Sequence, residues 1–298
     1  MTCLDTATVQ PVTRLMTHLI DYAGLFPPAA LRMTSAVHNY AAYQSSHDSW
    51  ALGHFIVNAS RLEEFESEVR ECDDRPWQLS ALCSSALDDD LGAIEAFNAR
   101  NRALRVVAVE LKAARAEDIA AVAEGIPKDL QSYFEFPLSP DPLPFIRALA
   151  AAGARAKIRT GSTDANLFPS TQDVCAFLIN CCRCNVAFKA TAGLHHPFRG
   201  SYRLTYEKDD GRTTVMHGFL TLFLGAVFLH AGIRPELLPD LLAETSPEAF
   251  AFDEHGVSWR HHWASNEQID EARARFAIAF GSCSFDEPLR ALRHLNLL

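Results

Sequence analysis

Ala154-Arg-Ala-Lys-Ile-Arg-Thr-Gly161 and Val186-Ala-Phe-Lys-Ala-Thr-Ala-Gly193 are two strand-like runs that decide how the rest of the chain is read. Each carries one lysine (Lys157, Lys189) among small or apolar residues and ends in Thr-Gly or Ala-Gly. Between them, Ser170 to Cys184 has the spacing of a helix. Strand, helix, strand is the unit that links parallel strands, and a sheet built from it is covered on both faces. A lysine pointed into such a sheet has to be paired or used, because an uncompensated buried charge is costly.

The same unit recurs on either side. Leu19–Gly24, Leu52–Val57, Trp77–Cys83, Arg105–Leu111 and Gln131–Leu138 read as strands one to five. Helical patterns follow them, one capped by Thr34 and one opened by a Ser60/Glu63 capping box. The lysine runs are strands six and seven. A strand–helix repeat of roughly 30 residues over a chain of 298 predicts an α/β fold of the (β/α)₈ TIM-barrel type, as a single domain over residues 1–298. Two segments compete for strand eight. Phe276–Gly281 is preferred, and Phe250–Arg260 is read as a hairpin around His255-Gly256 that precedes it. Leu194 to Thr214 is a polar insertion after strand seven, and Val215 to Ile233, interrupted by His217, Gly218, Gly225 and His230, is a buried helix rather than a membrane span.

Composition narrows the partners. A net charge of -10 without a basic run excludes a nucleic-acid surface. Met1 to Gln10 contains an acid and no apolar core, so no signal peptide is expected, and the eight cysteines, clustered at Cys181, Cys182 and Cys184 and scattered elsewhere, fit reduced thiols in the cytoplasm. The expected partner is a small-molecule substrate, with no membrane, no cofactor and no metal; self-association into a homo-oligomer is left open.

Strand parity selects the candidate site. Alternate residues face opposite sides, so the apolar sets (Val107, Val109, Leu111; Phe134, Phe136; Ile158; Phe188) belong to the helix-packed face. Glu110, Glu135, Lys157, Arg159 and Lys189, with Thr191 and the strand-one Asp21, then point inward, toward the end where barrels keep their chemistry. A buried lysine beside other cations is expected to give up its proton, attack a carbonyl and form a Schiff base, with a carboxylate and a second lysine moving protons.

Lys157-Ile-Arg-Thr-Gly161, Lys189-Ala-Thr-Ala-Gly193, Phe280-Gly-Ser-Cys-Ser284 and Leu19-Ile-Asp21 resemble, in order, the strand-six, strand-seven, strand-eight and strand-one motifs of deoxyribose-phosphate aldolase. That resemblance implies a metal-free class I aldolase in which Lys157 forms the imine and Lys189 is its proton-relay and pKa-lowering neighbour. It also implies a phosphate site near Gly161, Gly193, Gly281 and Ser282. The family's fourth-strand catalytic aspartate has no direct counterpart here; Glu110 or Glu135 is the substitute.

His195 and His196 are read as a base or as substrate hydrogen-bonding groups. Ligation of a metal by either, with Glu135 and His217 (taken to lie on the following helix), defines a rival metal-dependent hydrolase, isomerase or oxygenase. A non-catalytic barrel that binds through the Leu194–Thr214 insertion is a second rival. Tyr22–Pro28 is either a substrate-facing wall or a stiff turn, and Cys283 is read as a small residue of the strand-eight turn.

Overall fold

Eight short runs of β-branched, aromatic and small residues, each flanked by a helix-forming segment, can satisfy their backbone groups without an exposed edge only by pairing in a ring. The computed structural model has that arrangement, and it describes residues 10–70, 75–206 and 211–298. The first nine residues of the segment read as no signal peptide, and positions 207–210 of the Leu194–Thr214 insertion, lie outside them. The barrel strands are β1 (Ile20–Tyr22), β2 (Leu52–Asn58), β3 (Trp77–Leu82), β4 (Leu104–Lys112), β5 (Gln131–Glu135), β6 (Arg155–Arg159), β7 (Phe188–Thr191) and, after the inserted elements, β13 (Ala277–Ser282). All neighbouring pairs are parallel, and β13 closes the ring between β7 and β1. The (β/α)₈ barrel and the choice of Phe276–Gly281 over Phe250–Arg260 for the eighth strand both stand.

The parity argument holds on the outside. Phe188 is fully buried on the helix-facing side of β7, with ring centroids of Phe276, Phe177 and Phe223 at 5.1, 5.7 and 6.0 Å. On the other side of the barrel, Phe55 packs on Phe65 at 5.1 Å and on Trp77 at 5.7 Å. The helix Phe219–His230 is buried all round from Phe219 to Leu229, as a helix apolar on every face must be. Its Gly225 sits where a Cβ would come within 3.1 Å of Leu238 and Leu242, so the small residue permits close approach of the helix Leu238–Leu242. Among the described residues no helix is long and apolar enough to cross a membrane.

Five local expectations are corrected. The insertion after β7 is not only loop: β8 (Gly200–Arg203) and β9 (Thr213–Met216) form an antiparallel hairpin. β9 takes Val215 and Met216, and the helix begins at Phe219, so His217 precedes that helix instead of lying on it. Thr34 is inside the first turn of the helix Met33–Gln44, whose N-cap is Arg32, and Ser60 is absorbed into a 3₁₀ turn Ala59–Arg61 ahead of the helix Leu62–Arg70, where local turn geometry displaces the expected caps. The Phe250–Arg260 hairpin is real but is two-thirds of a sheet: β10 (Phe250–Phe252), β11 (Gly256–Trp259) and β12 (His262–Ser265) pair antiparallel in that order. His262 opens the third strand there.

Phe188→Ala empties a fully buried site walled by three aromatic rings. It is expected to lower unfolding stability by about 3–5 kcal/mol, read as a shift in urea midpoint at unchanged slope.

Candidate active site

Inward-facing charges from five strands meet inside the barrel as one alternating ladder. Arg159 Nε donates to Glu135 Oε1 at 2.8 Å, and Glu135 Oε2 lies 3.0 Å from Lys157 Nζ. Lys157 Nζ is 2.8 Å from Glu110 Oε2; the other oxygen of Glu110 accepts from Lys189 Nζ at 2.6 Å, and Lys189 also donates to Asp21 Oδ2 at 2.6 Å. Three cations face three carboxylates, and only the Arg159 end, with a side chain 44% exposed, reaches solvent appreciably. The spare acceptor positions are filled as well: Ser80 Oγ donates to Glu110 at 2.6 Å, and the His54 backbone N–H donates to Asp21 Oδ1 at 2.7 Å. Lys189 Nζ also stands 5.3 Å from the centre of the Tyr133 ring, a cation–π contact from the adjoining inward position of β5.

Register explains the meeting. β6 and β7 pair Lys157 with Lys189, and β5 and β6 pair Glu135 with Lys157. Two lysines side by side on adjacent strands would repel, so a carboxylate must stand between them. Glu110 crosses from β4 to do this.

One expectation changes here. Glu135, Lys157 and Lys189 were expected together at the end where barrels keep their chemistry. Instead the ladder runs through the barrel: Lys157 and Glu110 line the cavity at the C-terminal mouth, Asp21 lines a separate cavity at the opposite end, and Lys189, 1% exposed, is sealed between. Lys189, expected as the neighbour that lowers the pKa of Lys157, stays charged itself. Burial disfavours its ammonium, but Asp21 and Glu110 outweigh burial and hold its pKa well above the ordinary lysine value. The same contacts work in reverse on Glu110, where both lysines overcome burial and keep the carboxyl far below its usual range. Glu135 is lowered too, with Lys157 and Arg159 prevailing over burial.

The mouth cavity measures about 750 Å³. Besides Lys157 and Glu110, Arg159, Thr191, Gly193 and Gly281 line it, as do His195 and His196. Phe26, Pro27 and Pro28 form part of the wall, so the end of the Tyr22–Pro28 segment faces the cavity. Gly161 lies immediately behind Gly193: a Cβ on Gly161 would be 2.7 Å from the Gly193 Cα, and Gly193 itself has φ +72. Side chains at either position would push the ends of β6 and β7 apart. Ser282 is buried, and its hydroxyl turns to the Ser284 carbonyl at 2.6 Å.

The histidines do not assemble as a metal set. His195 Nδ1 is 3.0 Å from Glu287 Oε2, His196 stacks on Tyr202 with centroids 3.5 Å apart, and His217 Nε2 lies 2.9 Å from the Pro169 carbonyl. Among the described residues no three His, Cys, Asp or Glu side chains stand where they could hold one metal ion.

One cluster in the mouth was missed by sequence reasoning. Cys283 Sγ lies 3.9 Å from His195 Nε2 and 3.5 Å from Tyr206 Oη, and Tyr206 donates to Glu287 at 2.7 Å. Burial raises the Cys283 thiol, yet the hydrogen bonds and charge of His195, with Tyr206, bring it below its ordinary value. Burial lowers His195, yet Cys283 and Glu287 raise it to about 9. Cys283 and His195 are 88 positions apart, and no motif spacing links them. The only signal available was that both fall just after strand ends, seven and eight, that adjoin in the ring.

No family model, curated protein or solved structure matches this chain.

Glu110→Gln removes the shared carboxylate and leaves two buried amines short of a partner, so a loss of about 3–5 kcal/mol is expected in urea unfolding at pH 7. The sign with pH follows from the shift. Glu110 is depressed below its ordinary 4.5, so the stability it contributes is complete above that pH and is lost as pH falls through the depressed value. The destabilisation of the variant relative to wild type is therefore expected to shrink on strong acidification, and a constant difference at every pH would contradict the ladder.

Proposed function

We propose that this closed barrel, a scaffold common among metabolic enzymes, is an aldolase-like carbon–carbon lyase or related Schiff-base enzyme that acts on a small carbonyl compound at Lys157. The observation that carries this reading is the bridging carboxylate: Glu110 touches both lysine amines, and Lys157 is the one that opens onto the mouth cavity. Attack on a carbonyl needs the Lys157 amine to hand a proton to a base. Glu110 and Glu135 both lie within hydrogen-bond distance to take it. Lys189, held as an ammonium on the far oxygen of Glu110, is placed to reload or withdraw that proton through the carboxylate.

The steps then follow from the groups present. The amine adds to the substrate carbonyl, the carbinolamine loses water, and the protonated imine accepts the electron pair released when the neighbouring carbon–carbon bond breaks. Arg159 and Thr191 offer donors to hydroxyl or anionic groups of the substrate at the same mouth. A phosphate near Gly193 and Gly281 extends the aldolase resemblance and belongs to this proposal, since both backbones line the cavity. Both carboxylates touch the Lys157 amine, so turnover is expected to depend on Glu110 and Glu135 as well as on Lys157.

Incubation with small aldehydes and ketones followed by borohydride reduction is expected to give a covalent adduct on Lys157, absent from Lys157→Arg, and turnover of any substrate so found is expected to vanish in Lys157→Ala. Normal turnover by Lys157→Ala would end the Schiff-base reading at this residue.

A further inference from the structure

The mouth holds a second set of reactive groups that the lysine chemistry does not use. Cys283 follows the last residue of β13, His195 follows β7 by a few residues, Glu287 stands in the first turn of the helix Asp286–His294, and Tyr206 comes from the segment after β8. Four separate elements thus deliver four side chains to one wall of the cavity. The order of contacts is that of a nucleophile, a base and an orienting carboxylate: sulfur to Nε2 at 3.9 Å, and Nδ1 to carboxylate at 3.0 Å. Glu287 fixes the ring by its Nδ1 side and leaves Nε2 toward the sulfur. Tyr206 Oη touches both ends of the array, at 3.5 Å from Sγ and 2.7 Å from Glu287.

We propose that Cys283, His195 and Glu287 form a second nucleophilic centre in this mouth, one that takes an acyl group from a small ester or thioester onto the Cys283 sulfur. The inference is independent of the role given to Lys157. The cavity that holds the sulfur also offers an acyl group apolar lining from Phe26, Ile56, Leu82, Phe168 and Met216. The Cys283 sulfur attacks the carbonyl carbon, a C–S bond forms, and the carbonyl π pair moves to oxygen. The pair returns as the bond to the leaving alkoxide or thiolate breaks, and that group takes the proton from the His195 imidazolium. Water then adds to the thioester with His195 as base, which releases the carboxylic acid and returns the sulfur to its starting state.

The shifts support the geometry. Cys283 is lowered from the ordinary thiol value of 9.0, with His195 and Tyr206 overcoming burial and a backbone hydrogen bond at Ala29 adding to them. Other described cysteines go the opposite way: burial pushes Cys83 and Cys175 up to about 12 and raises Cys181 and Cys182 as well. The environment at Cys283 thus differs from that of these four thiols.

The test uses the full chain and p-nitrophenyl acetate. A burst of one equivalent of nitrophenolate is expected, with the acetyl group mapped by peptide mass to Cys283. Cys283→Ala is expected to lose it, and His195→Asn to acylate on the order of 100-fold more slowly. Because a substitution in the wall could disturb folding, a second measurement is made on the wild type alone. The rate of iodoacetamide alkylation at Cys283 is expected to reach half its maximum below pH 9.0, the ordinary thiol value. Acetylation confined to residues other than Cys283, acylation of folded His195→Asn at the wild-type rate, or an alkylation profile centred at or above pH 9.0 each overturns the proposal.

Discussion

The carboxylate of Glu110, held between two lysine amines, is the interaction on which the interior depends. Strands six and seven place Lys157 and Lys189 directly abreast, an arrangement that in a water-free interior would drive the strands apart or strip one amine of its proton. Glu110 prevents both by giving one oxygen to each. Its effect is to divide the two lysines into different roles. Lys189 receives a second carboxylate from Asp21 and is closed in, whereas Lys157 is left facing the mouth with Glu135 beside it. Both amines are ion-paired, but only one has room in front of it.

Around the mouth, two kinds of support meet. The ladder is carried by barrel strands, whose positions are fixed by the ring of hydrogen bonds. The Cys283 cluster is carried by a strand end, a loop, a helix start and the residues after β8, so its geometry depends on how the inserted hairpin sits. The β8–β9 hairpin and the segment after β8 therefore contribute to the wall through Tyr202 and Tyr206, since Tyr202 stacks on His196 and Tyr206 bridges Cys283 and Glu287.

Much of this was readable from residue order, for identifiable reasons. Period-two alternation is enforced by strand geometry, so the inward direction of Glu110, Glu135, Lys157 and Lys189 followed from their apolar neighbours. Which carboxylate would meet which amine did not follow, because that depends on stagger around a closed ring. Counting cations without that knowledge missed that Lys189, read as a neighbour of Lys157, is itself doubly paired. The β8–β9 hairpin escaped notice because four-residue strands with alternating partial exposure, such as Gly200–Arg203, carry too little pattern to stand out from polar loop. Cys283 escaped because its base arrives from across a long inserted segment, and only closure of β13 against β7 brings the two together.

The position of β13 also governs how the chain can assemble. It enters the ring between the first strand and the seventh, after an insertion that contains the buried helix and both small sheets. The Asp21–Lys189 contact spans 168 positions, and each of its partners lies on a strand that borders β13. Bringing such distant segments together costs chain entropy before any contact rewards it, and contact of this range slows folding. Seven strands can accumulate in synthesis order, but the seam is sealed only by the last strand to emerge. Until β13 is in place the ring is open beside Lys189, so the most deeply buried charge among the described residues loses its access to water only when that last strand closes.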